Sequence, residues 1–547
     1  MRLAAIDAAL PLCLVAAALL VFPGLGATRL WQDEAQTAAV AKNVLVSGLP
    51  LASDGVNTVS IFADGRDIRD GIYIWQPWLP NYLAAASMLA FGADSFGARF
   101  PFALSFVLLV LVCQRFFTRW QSDPLATRVA LALMLGSVAM LLHARECRYY
   151  ALAALLSVLV ADAHLRLRKG EGPSAILRLT LFSTLLFNSF PPGAALLAVA
   201  LGVDWLRARP SARVARDLGI AAALIAVLNL PVAVYLRIWD RQFGVQPGYS
   251  DLHAFALYLL RYLLSLNLFF FPALLALLAG ALRWRSLARG RIFADDFSAL
   301  LLSICAIQLL GFSLLSDYPF TRYLIAMAPF CFFLGARCLV TVAHGRAWLA
   351  WLLVVLVLSS NLLALPPLLP LRPTSLGRTP WSTAGIERAY LKPGDIGGSI
   401  ARGEIGSLVR TPFASPMLEY LQALRRPSPG PMDALVAHLQ TAAHPAEHVA
   451  IAYGDLPLIF HTSLRVQRPW EEAVSAPRFF VPRHFHPVSP EQLQARGIER
   501  THYEELELGV PDYQWNNRPD PLYHRFRASG APQTPPLRLY VRQAPLP

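Results

Sequence analysis

Apolar runs of span length recur along the first two thirds of the chain, and arginine-rich ends alternate with arginine-poor or acidic ends between them. A membrane-crossing helix needs about 20 apolar residues, and cytoplasmic loops hold the excess Lys and Arg. The first run covers about 5 to 25 and leads into Arg29-Leu30-Trp31-Gln32-Asp33-Glu34-Ala35. A long outer loop is expected over about 26 to 76, then a short apolar helix from Trp78 to Gly92 lying at the outer interface. The next run, about 100 to 117, ends in Arg115-Phe116-Phe117-Thr118-Arg119-Trp120 and returns to the cytoplasm. Further spans are expected at about 126–143 and 149–165, on both sides of Ser189-Phe190-Pro191-Pro192-Gly193, at 218–236, ending at Arg283-Trp284-Arg285, at 298–315, ending near His344-Gly345-Arg346, and at 347–365. The count is eleven crossings, with the N-terminus inside and the C-terminal region outside.

At Pro366-Pro367-Leu368-Leu369-Pro370-Leu371-Arg372-Pro373 the apolar pattern stops. Residues 371–547 have mixed composition and strand-like runs such as His448-Val449-Ala450-Ile451-Ala452-Tyr453. They predict a soluble α/β or α+β domain of ordinary length on the periplasmic side, following a membrane domain over 1–370. The fold class expected is a polytopic α-helical membrane protein with this soluble C-terminal domain.

Composition agrees. The chain of 547 residues is 55% hydrophobic and only 15% charged, against roughly 25% charged in soluble domains. The net charge of +13 is carried almost wholly by arginine, since Lys42, Lys169 and Lys392 are the three lysines. Because the arginines cluster at the ends of apolar runs, the charge reflects topology and not nucleic-acid binding. The six cysteines all lie at or before Cys338, which excludes a disulfide scaffold for the C-terminal region. No Cys/His zinc spacing occurs. The segment Phe22-Pro23-Gly24-Leu25-Gly26 lacks a small-x-small cleavage site, so the first span is expected to stay uncleaved.

Three polar clusters then meet at the outer face: Trp31-Gln32-Asp33-Glu34, His143-Ala144-Arg145-Glu146-Cys147-Arg148-Tyr149-Tyr150, and Asp317 to Tyr323. Charged residues at a membrane boundary are costly and mark functional sites. Acidic residues supply a base; arginines clamp phosphate through their planar fork. Asp33 and Glu34 also read as an ordinary acidic loop, Arg145 and Arg148 as interfacial snorkelling, and Arg322 as an anchor beside Tyr323. Against the snorkelling reading, the two arginines lie at the outer face, counter to the positive-inside trend.

The order of these pieces resembles a family. Trp31-x-Asp33-Glu34-Ala35 comes first, then Trp75-Gln76-Pro77-Trp78-Leu79 leading to Phe91-Gly92, then Gly97-Ala98-Arg99-Phe100-Pro101. Ala144-Arg145-Glu146-x-Arg148-x-Tyr150 and Arg322-Tyr323-Leu324 follow. Over about 1–345 this is similar to the GT-C superfold of integral-membrane glycosyltransferases, in the branch of protein O-mannosyltransferases and lipid A aminoarabinose transferases. The resemblance implies an inner-membrane enzyme that moves a sugar from a polyprenyl-phosphate carrier to an extracytoplasmic acceptor. It implies a catalytic base at Asp33 with Glu34 adjacent, and a second acidic residue at Glu146. Donor phosphate and lipid contacts map to Arg145, Arg148, Tyr149, Arg322, Tyr323 and Gln76. The aminoarabinose branch carries an acidic–basic pair before a Pro-Pro-Leu segment. This chain has Trp75-Gln76 there, so a lysine that would contact the carrier phosphate is missing.

The expected mechanism is one inverting displacement, with no cofactor required; a divalent metal is compatible with it but not indicated. Two other classes stay open: a transporter or flippase of a lipid-linked saccharide, and a polysaccharide polymerase or ligase. In the outer domain, His484-Phe485-His486 is a weak metal pattern. The stretch from Asp512 to Arg525 reads as a sugar-contacting surface or as a self-satisfied loop.

Overall fold

The computed structural model describes residues 9–238 except 122, then 252–267, 295–315 and 320–360, then 415–512 apart from short gaps, and 535–543. The expected domain boundary, the span ending at Arg285, Asp317, the His484-Phe485-His486 pattern and residues 513–525 lie outside the described residues.

Helix α1 (Ala9–Val21) is followed by α2 (Gln32–Ser47), a two-stranded hairpin β1 (Ile68–Arg69) and β2 (Ile72–Tyr73), α3 (Leu79–Phe91), α4 (Ser95–Trp120), α5 (Pro124–Gly136), α6 (Val138–Ala144), α7 (Tyr150–Arg168), α8 (Pro173–Phe187), α9 (Pro191–Ala208) and α10 (Ala212–Leu236). Then come α11 (Leu252–Ser265), α12 (Asp296–Leu315), a 3₁₀ turn (Thr321–Ala326), α13 (Ala328–Val342) and α14 (Ala347–Ser359). Among the described residues, α4, α7, α10 and α12 are long and apolar enough to cross a membrane. The pair α5–α6 meets that test as one unit bent by 63°, and α1, α3, α8, α13 and α14 are shorter apolar helices. The chain is a multi-pass membrane protein. Large apolar side chains such as Leu12, Val227 and Trp348 point outward from the bundle, where only lipid satisfies them.

Two expectations change. The segment after the first run is not a loop: Asp33 and Glu34 stand in the first turn of α2, whose Ala-rich body packs against α3. The single span expected at 126–143 is broken at Ser137, which is extended in ψ and accepts the Met140 N–H with its hydroxyl at 3.4 Å. That break turns α6 so that the turn following it meets the start of α2, where the Cys147 N–H donates to Glu34 at 2.8 Å. Close approach fixes another corner. At Gly97 an added Cβ would lie 2.1 Å from the Gly92 carbonyl oxygen, so α4 starts against the end of α3 only with glycine there.

The C-terminal region contains α15 (Pro416–Arg425), α16 (Pro431–Ala442), β3 (His448–Ile451), α17 (Asp455–His461), β4 (Arg465–Gln467), β5 (Phe479–Val481), β6 (Tyr503–Pro511) and β7 (Pro536–Arg542). The sheet order is β4-β3-β5-β7-β6. Strands β4, β3 and β5 are parallel, and β7 joins β5 and β6 antiparallel. Its α17 lies directly on α2.

Candidate active site

The site is built on the start of α2. Trp31, extended at φ −85° and ψ 173°, caps the helix, and Glu34 reaches back to accept its N–H at 3.3 Å. A carboxylate in the first turn also suits the positive end of the helix dipole. Glu34 is fully buried, and its remaining lone pairs are taken. Arg99 donates Nε to Oε1 and Nη2 to Oε2, both at 2.7 Å, and the Cys147 N–H donates to Oε1 at 2.8 Å. Arg99 also donates to the carbonyls of Leu25 (2.9 Å), Thr28 (2.9 Å) and Arg29 (3.2 Å). The pair thus pins the chain entering α2 to α4 and to the α6–α7 turn.

Arg145 has a similar task. Its Nη1 donates to the carbonyls of Val21 (2.6 Å) and Pro23 (2.8 Å), acceptors left open at the end of α1. The Tyr420 hydroxyl covers the Leu20 carbonyl beside them at 2.6 Å.

Asp33 points the other way. It is part-exposed, and Arg322 of the 3₁₀ turn donates Nη1 to its Oδ2 at 2.6 Å. Arg148 lies on the same side. Its Nη1 faces the Asp33 carbonyl (3.1 Å), Gln36 Oε1 (3.1 Å), Thr37 Oγ1 (3.0 Å) and Gln76 Oε1 (2.9 Å). All four acceptors are neutral. Among the described residues Arg148 has no carboxylate within ion-pair distance, and its buried Nε has no acceptor. The Tyr150 hydroxyl is also buried without a hydrogen-bond partner. It sits within electrostatic reach of Arg322, Arg148, Glu146 and Asp33.

Glu146 is fully buried, 3.6 Å from His143 Nδ1, and His143 packs on Tyr150 at 4.6 Å between ring centroids. Next to the arginines runs an aromatic stack: Tyr149 on Phe190 (4.8 Å), Phe190 on Phe312 (5.8 Å) and Phe312 on Tyr323 (5.5 Å). It forms an apolar wall beside a cationic floor.

The structure therefore brings Asp33, Arg148, Tyr149, Arg322, Tyr323 and Gln76 to one place, with Glu146 close behind. It directs Glu34 and Arg145 at backbone and at Arg99 instead. Sequence reasoning quoted Arg99 and Tyr150 within its motifs without giving them a role, and missed Gln36 and Thr37. A signal for Arg99 existed: it is an arginine at the outer start of an apolar helix, as Arg145 and Arg148 are at theirs. Gln36 and Thr37 follow Asp33 at i+3 and i+4, the same helical face. Among the described residues no cluster of three or more His, Cys, Asp or Glu is arranged to hold a metal ion.

Solved structures share this architecture. ArnT from Cupriavidus metallidurans bound to undecaprenyl phosphate superposes with a TM-score of 0.52 at 14% identity, over 84% of this chain and 86% of that one. Its apo form gives a TM-score of 0.53 at 16% identity, over 84% and 85%. The chain has an ArnT-like fold. No protein-family model matches it, and no curated protein matches it in sequence. The likeness covers more of the chain than the residues before 371 alone.

Proposed function

We propose that this protein is a membrane glycosyltransferase that moves a sugar from a polyprenyl-phosphate donor to an acceptor on the extracytoplasmic side. The observation that carries the reading is Arg148. It is a buried guanidinium held only by neutral acceptors, with Nε–H and the neighbouring Tyr150 hydroxyl both lacking a partner. A buried cation and a buried donor left in this state are costly until an anion arrives. A lipid phosphate fits, because it accepts several charge-assisted bonds at once. The neighbouring aromatic wall suits the apolar start of a prenyl chain or a sugar face. The ArnT-like fold, known with undecaprenyl phosphate bound, supports the same ligand class.

In this mechanism Asp33 is the base. The acceptor hydroxyl attacks the anomeric carbon while the bond from that carbon to the phosphate oxygen breaks. The acceptor proton passes to Asp33, and the lipid phosphate leaves with the electron pair, stabilised by Arg148 and Arg322. The displacement inverts the anomeric centre. Phosphate is a good leaving group, so no general acid is needed. Arg322 links the two halves, since it holds Asp33 in the resting site and lies where it can turn toward an incoming phosphate. Glu34 with Arg99 and Arg145 form the framework; Glu146 with His143 backs Tyr150.

Two measurements on the purified full chain test this. Undecaprenyl phosphate should bind, and Arg148→Ala should weaken it roughly ten- to hundredfold, the cost of a charge-assisted hydrogen bond or two. Asp33→Asn should bind the lipid normally yet lose about 10²–10⁴-fold of sugar transfer, scored on envelope glycans when the variant is returned to a deletion strain. Full transfer by Asp33→Asn would point to a transporter or a polymerase that needs no acid at this position. Equal lipid affinity in Arg148→Ala would remove the phosphate site.

A further inference from the structure

Three of the four residues ahead of Asp33, namely Arg29, Leu30 and Gln32, are gripped by the C-terminal region. Arg29 N–H donates to Asp433 Oδ1 at 2.6 Å, and Leu30 N–H donates to His461 Nε2 at 3.1 Å. Gln32 Nε2 donates to Asp455 Oδ1 at 2.7 Å, and Arg29 Nη2 reaches Gln440 Oε1 at 3.3 Å. The grip is itself braced. Asp433 Oδ2 accepts the Gly430 N–H at 2.6 Å, which locks the start of α16. Gln440 donates to the His461 carbonyl at 2.9 Å, tying α16 to the end of α17. From the membrane side Arg99 holds the carbonyls of residues 25, 28 and 29. One short peptide is thus held by its N–H groups from above and by its carbonyls from below.

We infer that the C-terminal region is part of the catalytic apparatus: His461 and Asp433 are positioning residues that set the height and rotation of the first turn of α2, and so the aim of Asp33. The inference rests on the reading of Asp33 as base. The chemistry of the contacts supports it. A histidine accepts an N–H through Nε2 only while that nitrogen is unprotonated. Burial, with Arg29, Arg99 and Lys42 nearby, pushes His461 down to about 3, which keeps it an acceptor at any ordinary pH. Two adjacent peptide N–H groups ahead of a helix are donors whose partners among the described residues, Asp433 and His461, fix the direction from which the chain enters the helix. A catalytic group displaced by about 1 Å costs on the order of 10² in rate. A contact outside the reacting atoms therefore has leverage through this peptide.

Asn57 provides the control. It docks the same region elsewhere, accepting the Val466 N–H at 2.8 Å and donating to the Leu464 carbonyl at 2.9 Å, with no contact to residues 29–33. The experiment uses the full chain in nanodiscs, with His461→Phe, His461→Gln, Asp433→Ala, Asn57→Ala and Asp33→Asn. Amide hydrogen exchange is followed over residues 26–34, lipid binding is measured with undecaprenyl phosphate alone, and turnover is measured on envelope glycan in the deletion strain. His461→Phe and Asp433→Ala should speed exchange in 26–34 and lower turnover at least tenfold. Affinity for undecaprenyl phosphate should stay within about twofold. His461→Gln, which keeps an acceptor, should recover most of the loss, and Asn57→Ala should leave exchange in 26–34 and turnover unchanged. Equal loss in Asn57→Ala, or no rescue by glutamine, would reduce the contacts to ordinary docking and overturn the inference. Full turnover in His461→Phe beside an inactive Asp33→Asn would overturn the inference and leave the base intact. Full turnover in Asp33→Asn would overturn both.

Discussion

The two ends of α7 hold two charge clusters that differ in one respect. At the end near Arg168, three guanidinium groups, those of Arg166, Arg168 and Arg207, each face a carboxylate. Asp204 takes His164 Nε2 at 2.9 Å, Arg168 Nη1 at 2.8 Å and Arg207 Nη2 at 3.2 Å. Asp296 takes Arg168 at 3.1 Å, and Asp162 takes Arg166 at 2.6 Å and the Trp120 N–H at 2.8 Å. At the end near Tyr150, roughly 27 Å away by helical rise, Arg148 among the described residues donates to neutral acceptors only, and the Tyr150 hydroxyl has no hydrogen-bond partner there. Arg148 is buried and Arg166 and Arg168 are largely covered, so covering an arginine does not by itself mark a site. The mark is charge left unmatched. A closed cluster staples helices together, whereas the Arg148 end is the one the proposed reading assigns to an anion.

The comparison can be broken at several points. The largest effect on folding is expected from Arg99→Ala, which leaves Glu34 buried without its cation. About 3–5 kcal/mol should be lost, seen as a fall in Tm and in yield of folded protein. Replacing Arg99 and Glu34 together with leucine should recover much of it, which identifies the pair as framework. At the opposite end Asp204→Ala should cost less, about 1–3 kcal/mol, since Asp296 still faces Arg168 and Arg207. It should leave undecaprenyl phosphate binding untouched; a loss of lipid affinity there would erase the distinction between the two ends. Smaller still, Arg322→Ala should weaken lipid binding more than Arg322→Lys, by up to about tenfold, because lysine keeps the charge and loses the fork.

The smallest effect is a pH dependence. The folded His461 resists protonation down to about 3, whereas a solvent-exposed histidine takes its proton near 6.5. Between those values the unfolded state binds the proton and the folded state does not, so stability falls as pH drops from about 6.5 toward 3. Asp433 and Asp455, raised by burial, shift stability in the opposite sense. The difference between wild type and His461→Gln isolates the histidine: the wild type should lose more Tm on acidification below about 6.5. Parallel curves would show that His461 is not held neutral by its burial.

Part of the site could be read directly from the residues. Asp33, Arg148 and Arg322 stood out because charge at an outer membrane boundary is expensive and arginine there opposes the positive-inside trend. Tyr149, Tyr323 and Gln76 came with the motif order. Glu34 and Arg145 carried the same signals, yet the structure turns them onto Arg99 and onto the carbonyls that close α1. Which of two adjacent acids stays part-exposed depends on helix phase. That phase is set by a capping contact of Glu34 that only becomes visible once α2 is seen to start at Gln32.

The sequence alone determined what solvent the chain lives in. Apolar length, arginine placement and the drop in hydrophobicity after Pro366 follow from the free energy of each segment in lipid or water, and that is a local property. Tertiary structure decided the pairing of charges. Glu34 meets Arg99 across 65 positions, Asp33 meets Arg322 across 289, and Leu30 meets His461 across 431. No periodicity encodes these distances. They arise because the break at Ser137, the close contact at Gly97 and the docking of α17 on α2 bring separate segments together. Only there does it become clear which charges meet a charged partner and which do not.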